Sequence, residues 1–100
     1  MRPERCIIPD NPPYWRDYNA VKDCREMYHR HEVFPGYNRQ HCIEDGLVIF
    51  LTPQQHNMGT HCIHNDTEYR RMAQEAGQRA YESRIGTHED FMRRYGKNYL

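Results

Sequence analysis

The sequence predicts an α+β domain: one small antiparallel β-hairpin with helices around it. Two observations carry that expectation. "HEVF" and "GLVIFLT", Gly46 to Thr52, are short runs of β-branched and aromatic residues separated by turn and polar positions. After them, two stretches place apolar residues at helical spacing behind capping residues. Aromatic residues make up 12% of the chain, eight of them tyrosine, which argues for a folded core because disordered chains are poor in rings. One hundred residues suit a single domain, 1–100, with a small core.

In chain order, residues 1–14 hold four of the six prolines and read as an extended arm. From Trp15 to Tyr28, the positions Trp15, Tyr18, Val21, Cys24 or Arg25, and Tyr28 recur at three- and four-residue steps. That spacing predicts a helix over about 15–27, its aromatic face packed in the core. A strand follows near Arg30–Phe34 and stops at Pro35-Gly36, a turn pair. Residues 37–45 read as polar loop. The continuous apolar run near Leu47–Thr52 predicts a strand buried on both faces, paired with the first. Pro53 opens a turn of helix with Gln54, Gln55 and His56, which Met58-Gly59 interrupts. Asn65 or Asp66 can cap a long helix over about 66–83, with Tyr69, Met72, Ala73, Ala76 and Ala80 on one face and Gly77 weakening it slightly. Thr87 and Asp90 resemble a capping box for a last helix, 88–95, with Gly96 as its stop.

The charge is balanced, fourteen basic against fourteen acidic residues, so the total carries no electrostatic footprint of a nucleic-acid binder. The Arg70-Arg71 and Arg93-Arg94 pairs, the latter with Lys97, read more simply as solvated helix faces. No apolar run approaches the ~20 residues of a membrane span, and "MRPERCIIPDNPP" lacks the features of a signal peptide. A cytoplasmic protein is the expectation. Cys6, Cys24, Cys42 and Cys62 are then reduced thiols, and with no C-x-x-C pair among them they form no closed zinc knuckle.

Chemistry concentrates in the histidines. His41 and His88 suit polar surroundings. Five of the seven (His29, His31, His56, His61 and His64) flank the predicted hairpin. His29 and His31 alternate on a strand and share a face; His61 and His64, three apart, can share one too if helical. Imidazole suits zinc, nickel and related ions, whereas carboxylate favours magnesium or manganese, so a divalent metal ion (Mg, Mn, Ni or Zn) is the expected cofactor.

A histidine pair on a strand, a turn, a buried strand and then a helical turn with further histidines resembles the layout of HNH endonucleases, whose ββα-metal motif holds a divalent cation between the hairpin and the helix. The stretch from about Tyr28 to Leu100 is also similar to small phage-encoded HNH-type proteins through "HEVFPG", "NRQ", "DGLVIFLTPQQHNMG", "IHND", "AQEAGQRA" and "EDFMRRYGKNYL". The closing "YGKNYL" is the most specific of these. That resemblance implies an HNH-like ββα-metal core in which His31 ligates metal and Glu32 is the base. His56 and His64 match the later histidine positions, and Asn38 stands in for the central asparagine. It further implies metal-dependent hydrolysis of DNA, in the host cell cytoplasm if phage-encoded.

The chain departs from that pattern in three places. Glu32 replaces the usual histidine base; a carboxylate is the weaker base at neutral pH unless desolvated, and Glu32 could instead become a second metal ligand. The residues near the second strand, where the family's asparagine sits, are Asp45, Gly46 and Leu47. Thr52 stands where relatives carry a knuckle cysteine, and Pro9 follows Cys6 where a second would stand. Two other readings therefore accompany the nuclease. One is a catalytically inactive HNH-like binding protein of phage origin, such as an inhibitor of a host defence (CRISPR or restriction) nuclease. The other is a structural accessory with a metal-stapled core.

Overall fold

The computed structural model describes residues 5–34 and 36–100; Met1 to Glu4 of the proline-rich arm and Pro35 of the turn lie outside them. The fold is α+β. Strands β1 (His29–Glu32) and β2 (Val48–Leu51) pair antiparallel, with His29 opposite Leu51, His31 opposite Ile49 and Glu32 opposite Val48. Every residue of β2 is buried, as its unbroken apolar run predicts. The two faces of the hairpin meet separate clusters. Ile49 and Leu51 join the larger, with Val33, Phe34, Leu47, Ile63 and residues from both C-terminal helices. Val48 and Phe50 join Val21, backed by Tyr18, Cys24 and Tyr28.

The segment before β1 differs from the helix expected over 15–27. Arg16 exchanges backbone hydrogen bonds with Phe50 (3.0 and 2.9 Å), continuing the sheet on the other side of β2. Helix α1 (Tyr18–Val21) therefore starts only after Asp17, whose side chain accepts from the Ala20 N–H, and a 3-10 segment (Lys22–Met27) follows. The three- and four-residue spacing marks the apolar packing correctly while the backbone is mostly not α-helical. The arm crosses the same sheet: Ile7 N–H donates to the Gly46 carbonyl at 2.9 Å, and the Cys6 thiol to that of Val48 at 3.2 Å.

Residues 37–45, expected as loop, are structured. A 3-10 turn (Gly36–Asn38) leads into α2 (Arg39–Asp45), which ends where Gly46 at φ 78° donates to the Cys42 carbonyl. The helix buries Cys42 and Asp45. Asp45 is a costly residue to bury alone, but Arg94 Nε and the Tyr95 hydroxyl donate to its Oδ2 at 2.6 and 2.7 Å. The strands are thus joined through a short helix rather than a tight turn.

After β2, Pro53 leads into a single π-type turn (Gln54–Met58) closed by the Gly59 N–H on the Gln54 carbonyl. Helices α3 (Thr67–Arg84) and α4 (His88–Tyr95) match their expected spans. Asp66 caps the first, accepting from Tyr69 N–H at 3.1 Å, and Thr87 with Asp90 forms the capping box of the second. Gly77 has a packing reason beyond propensity: a Cβ there would lie 2.7 Å from Val33 Cγ2. Behind it, buried Gln78 holds the C-terminal segment, donating to Asn98 Oδ1 at 2.9 Å and accepting from Tyr99 N–H at 2.7 Å. All four cysteines are free thiols. Among the described residues no helix is long and apolar enough to cross a membrane.

Candidate metal centre

Three histidines from three elements meet beside the hairpin. His31 comes from β1, on the face that Ile49 shares across the sheet, and only 9% of it is exposed. His56 lies on the π-type turn, whose start is fixed by the His56 N–H on the Thr52 carbonyl at 3.0 Å. A π turn widens the helix by one residue, re-aims the side chains it carries and recurs at functional sites. His64 sits among the turns before α3. Its neighbour Ile63 is fully buried, and Arg70 on α3 donates to the His64 carbonyl at 2.6 Å.

One nitrogen from each of His31, His56 and His64 lies within 4.8 Å of the other two, close enough to hold a metal ion. The rings approach edge-on or tilted, with centroids 4.8 to 5.4 Å apart. Two imidazole nitrogens on one tetrahedral ion, each ~2.0–2.1 Å from it, are about 3.4 Å apart, so ring rotations moving the nitrogens by about an ångström seat the cation. Protonation also favours ligation. Burial first, then the charges of His56, His64 and Arg39, push His31 down to about 3. Burial, His64 and His29 lower His56, with Glu32 partly opposing them. Two of the three rings are therefore held toward the neutral form that binds metal.

The trio opens into a cleft of about 270 Å³ that Arg30, Glu32, Gly36 and Arg39 also line. Glu32 is oriented by two guanidinium groups, Arg30 Nε at 3.4 Å and Arg39 Nε at 3.3 Å. Glu32 pairs with Val48 across the sheet where His31 pairs with Ile49, and both line the cleft.

The structure thus brings together His31, His56, His64 and Glu32. Asn38 is buried elsewhere, its amide donating to the Tyr95 carbonyl at 3.3 Å at the end of α4. His61 is exposed, and the segment from Gly59 to Asp66 is a series of turns rather than a helix, which removes the geometry for a shared face with His64. His29 stands just outside the trio, its Nδ1 3.0 Å from His56 Nδ1. Sequence reasoning missed Arg39 as a cleft residue because it sat in an expected loop; Gly46 as a helix stop was the available signal. No family model, curated protein or solved structure matches this chain.

Proposed function

We propose that the protein is an HNH-type, metal-dependent nuclease that hydrolyses DNA phosphodiester bonds. The observation that carries the reading is the convergence of His31, His56 and His64 from a hairpin strand, the turn after it and the approach to a long helix. That order is the one expected of an HNH-like ββα-metal core. Three imidazoles fit zinc, nickel or cobalt better than magnesium or manganese, which prefer oxygen ligands. When bound, a divalent cation supplies positive charge to the phosphate and leaving oxygens.

The chain's own groups do the rest. His31, His56 and His64 hold the ion, and Glu32 takes the proton from the attacking water. Arg30 and Arg39 orient the Glu32 carboxylate and bring positive charge to the cleft, where a phosphate would lie. Asn38 has no part in this cleft; it ties the entry to α2 to the end of α4.

A second reading has its own support: a catalytically inactive HNH-like binding protein of phage origin, acting on a host defence nuclease. Glu32 is already engaged by two arginines, and the Asn38 amide is directed to Tyr95. Plasmid nicking separates the two readings, run with magnesium, manganese, nickel, zinc and EDTA on wild type, His31→Ala and Glu32→Gln. The nuclease cuts only with metal; His31→Ala loses metal and cleavage together, and Glu32→Gln keeps metal but loses most cleavage. A wild-type protein that binds metal and cuts under none of these conditions selects the binder. Nicking undiminished in Glu32→Gln removes Glu32 as base.

A further inference from the structure

His29 and His56 place Nδ1 against Nδ1 at 3.0 Å, with ring planes at 82°. Two such atoms attract only if one carries a hydrogen and the other a lone pair. Two arrangements satisfy this for neutral rings. Either His56 donates from Nδ1–H to His29, leaving a lone pair on His56 Nε2, or His29 donates and the His56 hydrogen sits on Nε2. Only the first leaves His56 a nitrogen for metal, because its Nδ1 is engaged in both. His29 itself is not one of the three converging histidines.

We propose that His29 is a positioning residue for the metal centre: its Nδ1 accepts from His56 Nδ1–H, fixing the ring and the tautomer in which His56 Nε2 binds the ion. The inference rests on the reading of His31, His56 and His64 as a metal site and adds a residue that the resemblance did not assign. Two features of the fold hold the pair. His29 lies on β1, paired opposite Leu51 in the hydrogen-bonded ladder, so its ring rises from a fixed backbone. His56 rides on a single turn of π type whose backbone is tied to Thr52 and Ile63, so both rings of the pair rise from held backbone. Outer acceptors of this kind commonly change metal affinity by ~10–100-fold when removed.

The test uses two variants and two readouts. His29→Phe keeps a planar ring without an acceptor; His29→Asn places an amide oxygen near the position of Nδ1. In the metal-free protein, long-range nitrogen–proton NMR reports which nitrogen of His56 holds the hydrogen. The expected result is Nδ1–H in wild type and His29→Asn, and a shift toward Nε2–H in His29→Phe. Titration with cobalt(II), followed by visible absorption, should show affinity ~10–100-fold weaker in His29→Phe, largely restored in His29→Asn, with the band shape unchanged throughout. Hydrogen on Nε2 of wild-type His56 overturns the proposal. Equal cobalt affinity in all three proteins, or equal losses in both variants, does the same. A changed band shape in His29→Phe makes His29 a ligand and likewise refutes it. If wild type binds no cobalt while its His56 carries Nδ1–H, the metal reading fails rather than the hydrogen-bond assignment, and the positioning role falls with it.

Discussion

Gly77→Ala sets two effects of opposite sign against each other, and the structure decides between them. Gly77 lies inside α3, where alanine is favoured over glycine by about 1 kcal/mol. From sequence alone the substitution stabilises. But the added Cβ would sit 2.7 Å from Val33 Cγ2 and 3.3 Å from Phe34 Cε2, the first closer than real Cβ contacts come. Both neighbours are core residues, Val33 2% and Phe34 0% exposed, and Val33 is stiff at χ1. Phe34 is also hemmed in by Phe91, Tyr95 and Tyr99, with ring centroids 4.6 to 5.5 Å away. Relief must come from backbone movement of α3 away from the hairpin, and overpacking of this kind costs ~1–3 kcal/mol. The net expectation is destabilisation by about 1 kcal/mol, read as a lower urea midpoint at unchanged m-value. A Gly77→Ala protein more stable than wild type by half of that propensity gain or more would refute the close approach of α3 to the hairpin.

Asp45→Asn should cost about 1–3 kcal/mol, because it removes the charge that Arg94 and Tyr95 share while leaving their donors buried or half-buried; urea unfolding of the variant beside Arg94→Met measures it, and no loss in either would show that the cluster does not hold α2 to α4. Burial pushes the Cys42 thiol up to about 12, so the folded state keeps this proton while the unfolded chain releases it near the ordinary value of 9.0. Stability therefore falls as pH rises through that window, by at most ~1.4 kcal/mol per pH unit for this group. Cys42→Val should flatten the dependence measured by urea midpoints, and Cys42 of the folded wild type should resist thiol reagents until the protein unfolds. Gln78→Leu should cost ~1–3 kcal/mol by stranding the Tyr99 N–H, with amide exchange at Tyr99 accelerated before global unfolding.

What was legible in the sequence follows the range of the interactions that decide each element. Helices α3 and α4 are specified locally: Asp66, the Thr87–Asp90 box and Gly96 lie next to the turns they cap. The apolar run of β2 marks itself. Helix α2 escaped because its inward side chains are Cys42 and a carboxylate, and Asp45 is acceptable inside only through Arg94 and Tyr95, about fifty positions away. Arg16 was misread for the same reason, since its ladder partner is Phe50.

The site divides along the same line. Histidine type and the strand-turn-strand order pointed to five histidines around the hairpin, and the resemblance to HNH proteins singled out His31, His56 and His64 among them. Their approach to within 4.8 Å depends on the turn at His56, which Pro53 and Gly59 marked though not its π form, and on Arg70 fixing the His64 backbone, which nothing in the sequence marked. Strand alternation adds a constraint that was readable from the start. Adjacent residues on β1 face opposite sides, so His31 and Glu32 cannot both point straight at one ion from a regular strand. The register bears on this directly: His31 pairs with Ile49 of the larger cluster, and Glu32 with Val48 of the smaller. The Glu32 carboxylate is held by Arg30 and Arg39 and is not among the three groups whose ligand atoms converge. Within the proposed nuclease reading, Glu32 therefore takes the part of base, and the ligand set is the three histidines.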